Sequence, residues 1–172
     1  METRLPTSAT EAVQRCFEHA HPDERFYALV ECLLWRNEAV RTHLDMREGP
    51  SEGPNASQVA LAATARLDLQ VPNGGLLQFF WNCPGWVDHV SESLRVMDLP
   101  ALVDTFERST AELVARIGTY SEFRKRNSLQ AYSECAGEFN FEEFDSAFYR
   151  HTDQMYANSI AFVSEHLADF VL

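Results

Sequence analysis

A proline followed by Asn-Gly-Gly interrupts the apolar segment of residues 69–86, and this interruption constrains the fold more than any other feature of the chain. Pro72 fixes its own φ angle and disfavours helical geometry at Val71. Gly74 and Gly75 allow backbone angles and close approaches that a Cβ atom would block. The pattern therefore predicts a sharp turn in the middle of the apolar segment, with an extended residue just before it.

Apolar residues resume directly after the glycines and continue to the tripeptide at residues 83–85, whose Pro-Gly pair is typical of a helix end. Gln78 and Asn82 are four residues apart, so a helix over residues 76–82 places both amides on one face. We expect these amides, like that of Asn73, to satisfy backbone groups at the turn. Trp86 follows a glycine, and we expect it to be partly exposed.

Apolar residues recur at three- and four-residue spacing through most of the chain, and period-two alternation is nowhere sustained. Residues 47–55 contain two Gly-Pro pairs and predict a loop. The stripes predict helices over residues 10–17, 22–46, 56–69, 87–97, 100–118, 121–135, 141–151 and 152–170, with Thr10 as the first cap.

These helices predict an all-α, single-domain bundle of about seven to eight helices with a central Asn-Gly-Gly turn. The single domain is expected to span residues 1–172. Residues 1–55 would contribute the N-terminal helices and the Gly-Pro loop, and residues 56–172 would form the core.

The chain has 172 residues and a net charge of −12, and the negative charge is concentrated near its end. Eight acidic residues and one arginine lie between residues 134 and 172. Such a balance repels nucleic acid and anionic membranes and favours basic partners, although it would equally serve solubility alone. The predicted partner-binding acids are Glu134, Glu138, Glu142, Glu143, Asp145 and Asp153. A continuous helix would align the first three of these acids, but Gly137 weighs against such continuity.

Motifs that carry catalytic or cofactor chemistry are missing from the sequence. It has no P-loop, no Gly-x-Gly-x-x-Gly, no Gly-x-Ser-x-Gly and no His-Glu-x-x-His. We therefore predict no enzymatic activity, no cofactor and no metal. The four cysteines are scattered without a Cys-x-x-Cys pair, and the N-terminus lacks signal-peptide features, so we expect free thiols and a cytoplasmic location. No apolar run is long enough for a membrane span.

Residues 71–82, followed by Gly85, resemble the hallmark of a bacterial all-helical family represented by a DNA-mimic protein. The resemblance covers about residues 60–170, with Gln70 where the family often has glutamate, and it includes the ending at residues 144–149. The hallmark residues, which we expect to be scaffold, are Asn73, Gly74, Gly75, Gln78, Phe79, Phe80, Asn82 and Gly85.

The resemblance implies an acidic helical protein, and a homodimer by analogy, that occupies the DNA-binding surface of a basic partner. A second hypothesis is an interaction or immunity-type protein that binds through aromatic residues, namely Phe79, Phe80, Trp81 and Trp86. An enzyme of unrecognised type is the third. In each case direct nucleic-acid and membrane binding are not expected.

Overall fold

A computed structural model describes residues 8–170, which form ten α-helices and one minimal β-hairpin. The all-α prediction is confirmed, with somewhat more helices than expected. The helices are α1 Ala9–Cys16, α2 Pro22–Val30, α3 Glu38–Arg41, α4 Ala56–Asn82, α5 Val87–Val96, α6 Pro100–Ala115, α7 Ile117–Arg126, α8 Leu129–Glu138, α9 Glu142–Arg150 and α10 Thr152–Glu165. Strands β1 Leu44–Asp45 and β2 Gly49–Pro50 are antiparallel, and short turns of other helix types occur at Glu31–Trp35 (π), Pro84–Trp86 and Leu167–Asp169 (3₁₀).

The N-terminal region is more segmented than its periodicity predicts. The expected helix over residues 22–46 is wrong, because a π-helical turn at Glu31–Trp35 follows α2 and extended backbone at Asn37 precedes α3. The first helix is capped by Ser8 and not by Thr10, since the Ser8 hydroxyl accepts the backbone N–H of Glu11. Pro22 occupies the first turn of α2, as predicted.

Three further predicted helices have different ends, and the last of them stops at Glu165 and not at residue 170. The helix that begins at Pro100 ends at Ala115, and Gly118 lies inside the next helix instead of ending the first. The predicted helix over residues 121–135 is divided in two, because Asn127 adopts the left-handed conformation and Ser128 caps α8. Asparagine tolerates this conformation better than most residues, and serine is a preferred N-cap.

Helix α4 runs through the centre of the fold and packs against α2, α5, α9 and α10. Small residues in its first half, including Ala60 and Ala63, are buried and allow neighbouring helices to approach closely. In its second half Phe79 and Phe80 pack edge-on or tilted against Phe106 of α6. Among the described residues, no helix is long and apolar enough to cross a membrane.

A buried carboxylate connects three helices in the interior. Asp68 of α4 is fully buried and accepts hydrogen bonds from the hydroxyl groups of Tyr27 in α2 and Tyr156 in α10. Burial raises the pKa of Asp68, and the two tyrosine hydrogen bonds partly oppose that rise. Sequence periodicity gives no sign of this polar cluster, because its members are far apart along the chain.

The β-hairpin lies directly on the turn that follows α4. Gly85 donates its backbone N–H to the Arg47 carbonyl at 2.9 Å. A Cβ atom at Gly49 would overlap the backbone of Gly85, and a Cβ atom at Gly85 would overlap the backbone of Glu48. The indole N–H of Trp86 donates to the Asp45 carbonyl at 2.7 Å. The predicted exposure of Trp86 is therefore wrong, since its side chain is 0% exposed beneath the hairpin.

Candidate functional site: the Asn-Gly-Gly break and the acidic face

Helix α4 is broken at the two glycines. Gly74 is extended, with φ −176° and ψ 28°, and Gly75 has φ 74° and ψ −178°, which favours glycine. Pro72 lies inside the helix, so the predicted extended conformation of Val71 is wrong and the break comes later. Because Pro72 has no N–H to donate, one helical hydrogen bond is missing in the last turn before the break.

Side chains donate hydrogen bonds to the backbone carbonyls around the break. The Asn73 side-chain amide donates to the Leu69 carbonyl at 2.7 Å. The Tyr149 hydroxyl of α9 donates to the Val71 carbonyl at 3.0 Å, and the Tyr132 hydroxyl of α8 donates to the Gly74 carbonyl at 3.1 Å. The broken helix is therefore held by residues from α8 and α9, which also carry most of the predicted binding acids.

The helix restarts with a cap from a distant carboxylate. Asp145 of α9 accepts the backbone N–H of Leu76 at 2.7 Å, at the point where the second half of α4 begins with unpaired N–H groups. A Cβ atom at Gly75 would overlap this carboxylate. Burial raises the pKa of Asp145, and the Leu76 hydrogen bond opposes the rise. Asp145 is thus half-buried and engaged inside the protein, unlike the other predicted binding acids.

The remaining hallmark amides converge on one glutamine. Gln70 Oε1 accepts hydrogen bonds from Gln78 Nε2 at 3.2 Å and from Asn82 Nδ2 at 2.7 Å. The expectation that these amides satisfy backbone groups therefore describes Asn73 and not Gln78 or Asn82. A Cβ atom at Gly74 would overlap the Gln78 side chain, so the glycine allows this amide to cross the break. Position 70 is the acceptor that sequence reasoning missed.

The aromatic residues of the second hypothesis do not form a surface patch. Phe79 and Phe80 are 0% and 1% exposed, and Trp81 is also buried. Trp81 packs edge-on against Tyr120 and Tyr132, which cover it from α7 and α8. In this structure these rings serve core packing and offer no contact area to a partner.

Three of the six predicted binding acids form ion pairs with arginines while remaining exposed. The pairs are Glu134–Arg126 at 2.7 Å, Glu138–Arg116 at 3.5 Å and Glu143–Arg108 at 3.0 Å. Arg126 and the Gln130 amide lower the pKa of Glu134. The pairs offset part of the local negative charge, and they are weak because both partners are accessible to solvent.

The other two acids, Glu142 and Asp153, are exposed and form no ion pair with any residue in the range 8–170. Glu142 lies in the first turn of α9, and Asp153 lies in the first turn of α10. Because α8 ends at Glu138 and α9 begins at Glu142, the glutamates at 134, 138 and 142 do not share one continuous helix. We call the exposed set of Glu134, Glu138, Glu142, Glu143 and Asp153 the acidic face.

An open depression of about 560 Å³ lies between the broken helix and α9, and Glu142 is the one member of the acidic face that lines it. Gly74 and Leu77 line it from α4, and Glu142, Asp145 and Tyr149 line it from α9. The depression thus brings together hallmark residues and predicted binding acids that are remote in sequence. It is open to solvent on the side of Glu142, which is exposed.

The basic tripeptide at residues 124–126 is engaged within the protein. Arg124 donates to the Trp81 carbonyl at 2.6 Å and lies over the Trp81 ring. Lys125 pairs with Glu122 at 2.6 Å, and Arg126 pairs with Glu134. Arg124 and Arg126 therefore connect α7 to α4 and α8, whereas Lys125 pairs within α7.

Within the part of the chain that the structure describes, no three His, Cys, Asp or Glu side chains are placed to hold a metal ion. All four cysteines are free; Cys16, Cys83 and Cys135 are buried and Cys32 is half-buried. Burial raises the pKa of Cys83 to about 11, which keeps this thiol protonated and unreactive.

Comparison with known proteins supports the family resemblance. No curated protein and no solved structure matches the chain. The profile of the family described as DMP19-like protein matches residues 52–171, which is more than half of the chain. The suspected membership in the DNA-mimic family is thereby confirmed: the chain belongs to the DMP19-like protein family.

Proposed function

We propose that this protein is an acidic binding protein that occupies the DNA-binding surface of a basic partner through the acidic face. The observation that carries the proposal is the family match over residues 52–171 in a chain of net charge −12. Most of the region richest in acids, which begins at residue 134, falls inside that match. Binding, and not catalysis, is the activity that this combination supports.

Electrostatics gives the proposal its physical basis. Duplex DNA carries one charge per roughly 1.7 Å of its axis, and proteins that bind it align lysines and arginines with those charges. Fixed carboxylates can occupy the same side chains. The carboxylates of Glu134, Glu138 and Glu143 are exposed, and because their internal ion pairs are weak a partner arginine can share or replace them. Glu142 and Asp153 supply charge that no internal cation offsets within residues 8–170.

Asp145 has a positioning role in this proposal. Its carboxylate caps the second half of α4 and so fixes the start of α9 relative to the broken helix. Glu142 and Glu143, which precede it in the first turn of α9, are positioned by the same contact. The hallmark residues would accordingly be the foundation for the acidic face and not part of the contact surface.

A homodimer is part of the proposal by family analogy. Two copies would double the acidic area available to an extended, duplex-binding surface. Sedimentation equilibrium of the purified chain tests this part directly. A monomer at all concentrations would remove the dimer from the proposal and would leave the acidic face as a single-copy surface.

The experiment is a capture of partners from host lysate on the tagged protein, with washes of increasing salt and competition by duplex DNA. A DNA-binding protein that is retained at low salt, released at high salt and displaced by duplex supports the proposal. The combined variant Glu142→Gln and Asp153→Asn should weaken retention of that protein. Glu112→Gln, an exposed acid of α6 outside the acidic face, serves as the matched control.

Two outcomes would contradict the proposal. One is a partner whose retention is indifferent to salt and to duplex DNA. The other is a loss of binding that is equally large in the Glu112→Gln control, because this would reduce the effect to overall charge.

A further inference from the structure

A second surface feature lies away from the acidic face, between the start of α4, the length of α5 and the end of α10. It is a groove of about 820 Å³ with an apolar wall formed by Val59, Val96 and Phe162. Val96 is 47% exposed, so this part of the apolar wall is accessible to a partner. The groove is therefore an apolar surface that the described residues leave open.

The charges that line the groove have one sign. Asp88 and Glu92 lie along it, and no lysine or arginine lines it. Asp88 forms no ion pair within residues 8–170, while Glu92 has a 3.5 Å contact with Arg95. Because Asp88, Glu92 and Val96 follow one another at four-residue spacing on α5, they form a single stripe with two acids and one aliphatic side chain.

We propose that this groove docks a basic amphipathic segment of a partner protein. A helical segment would place apolar side chains against Val59, Val96 and Phe162, and would place lysine or arginine side chains one turn apart beside Asp88 and Glu92. Charge complementarity selects this occupant. The net charge of −12 disfavours nucleic acid and anionic membrane as occupants.

This inference is independent of the proposed function, because it uses different helices and a different balance of forces. The acidic face is a charged surface whose binding depends on salt throughout. The groove combines apolar burial with two charges, so part of its affinity should survive high salt. A DNA-binding partner could engage both surfaces, but either surface can fail a test without the other.

The probe is a fluorescent synthetic helical peptide that carries leucines on one face with lysines one turn apart beside them. Its counterpart has glutamate in place of every lysine. We expect the lysine peptide to bind the full chain, the glutamate peptide not to bind, and the ¹⁵N–¹H shifts induced by the lysine peptide to map onto α5 and the start of α4. Val96→Asp should weaken binding by about tenfold or more, whereas Val114→Asp should leave it unchanged. Both valines are exposed, at 47% and 58%, so both variants should fold.

The charge contribution has its own pair of variants. Asp88→Asn combined with Glu92→Gln should weaken binding of the lysine peptide several-fold and reduce the salt dependence of that binding. Glu112→Gln should do neither. The proposal would be overturned by equal binding of the two peptides, by no binding at millimolar concentration, or by shifts that map elsewhere. A chain that is dimeric and becomes monomeric through Val96→Asp would assign the groove to a second copy and would overturn it as well.

Discussion

The carboxylate of Asp145 lies 2.7 Å from the backbone nitrogen of Leu76, so that a residue in the first turn of one helix caps the restarted half of another. The two residues are 69 positions apart in the sequence. Helix caps are usually local, because the cap residue immediately precedes the N–H groups that it satisfies. Here the preceding residue is Gly75, which has no side chain, and the cap comes from the adjacent helix.

Replacing Asp145 with alanine should therefore destabilise the protein. The Leu76 N–H would lose its acceptor, and loss of a cap typically costs about 1 to 2 kcal/mol of the free energy of unfolding. Urea denaturation followed by circular dichroism measures the change. Glu142→Ala, an exposed acid in the same turn of α9, should leave the urea midpoint unchanged. Equal effects of the two substitutions would refute the capping role.

Gly75→Ala should be more disruptive than its size suggests. The residue has φ 74°, and its new methyl group would overlap the Asp145 carboxylate. We expect a loss of more than about 1 kcal/mol in the free energy of unfolding.

Gly137→Ala serves as a control, because it should change the free energy of unfolding in the opposite direction. This glycine lies in α8 with open space around its Cα, so alanine should stabilise the protein by about 0.5 to 1 kcal/mol. Thermal unfolding of both variants tests the pair, and a stable Gly75→Ala protein would show that the break in α4 does not need glycine there.

The buried Asp68 should make stability depend on pH. Burial raises its pKa above the ordinary value of 3.8, so the folded protein favours the protonated carboxyl. Its contribution to stability is then complete below the pKa of the unfolded chain and is lost as pH rises through the folded pKa. The stability advantage of the wild type over Asp68→Asn should therefore shrink as pH rises from below 3.8.

Tyr156→Phe extends this test. It removes one hydrogen-bond donor that favours the ionised carboxylate, so it should raise the folded pKa of Asp68 further and move the loss of stability to higher pH. Urea unfolding across the acid range measures all three proteins. An advantage over Asp68→Asn that is constant, or that grows with pH, would contradict the assigned direction.

Trp86→Ala should destabilise the fold and not only affect partner binding. The side chain is 0% exposed and its indole N–H is bonded to the Asp45 carbonyl, so truncation should cost about 3 to 5 kcal/mol. Differential scanning calorimetry measures the effect, with Leu129→Ala as the control because Leu129 is 84% exposed. A Trp86→Ala protein that unfolds like wild type would contradict the burial of this side chain and would again make it a candidate for partner contact.

The helices were predictable where local signals determine them. Pro22 and Pro100 both begin helices, and Val90 and Leu94 are buried as their spacing predicts. Asn140 is a further local signal, because its side chain accepts the Glu142 N–H at the start of α9.

The candidate site was less predictable because distant contacts decide it. Periodicity indicates which face of α9 is polar, but it cannot show that Asp145 turns inward to cap Leu76 while Glu142 stays exposed. Likewise, the polar character of Gln70 gave no sign that it would accept two amides from the other side of the break. Tertiary packing supplies these partners, and a single sequence does not contain that information locally.

The close approach of Gly49 and Gly85 bears on how this chain could have evolved. The family match begins at residue 52, so one glycine lies outside the matched region and the other lies within it. Neither position can gain a side chain while the hairpin keeps its place. Homologues that retain the hairpin should therefore hold glycine at both positions together, whereas homologues without it would be released from that restriction at the second position. In an alignment of homologues, covariation of glycine at these two positions should thus show which of them share the N-terminal hairpin.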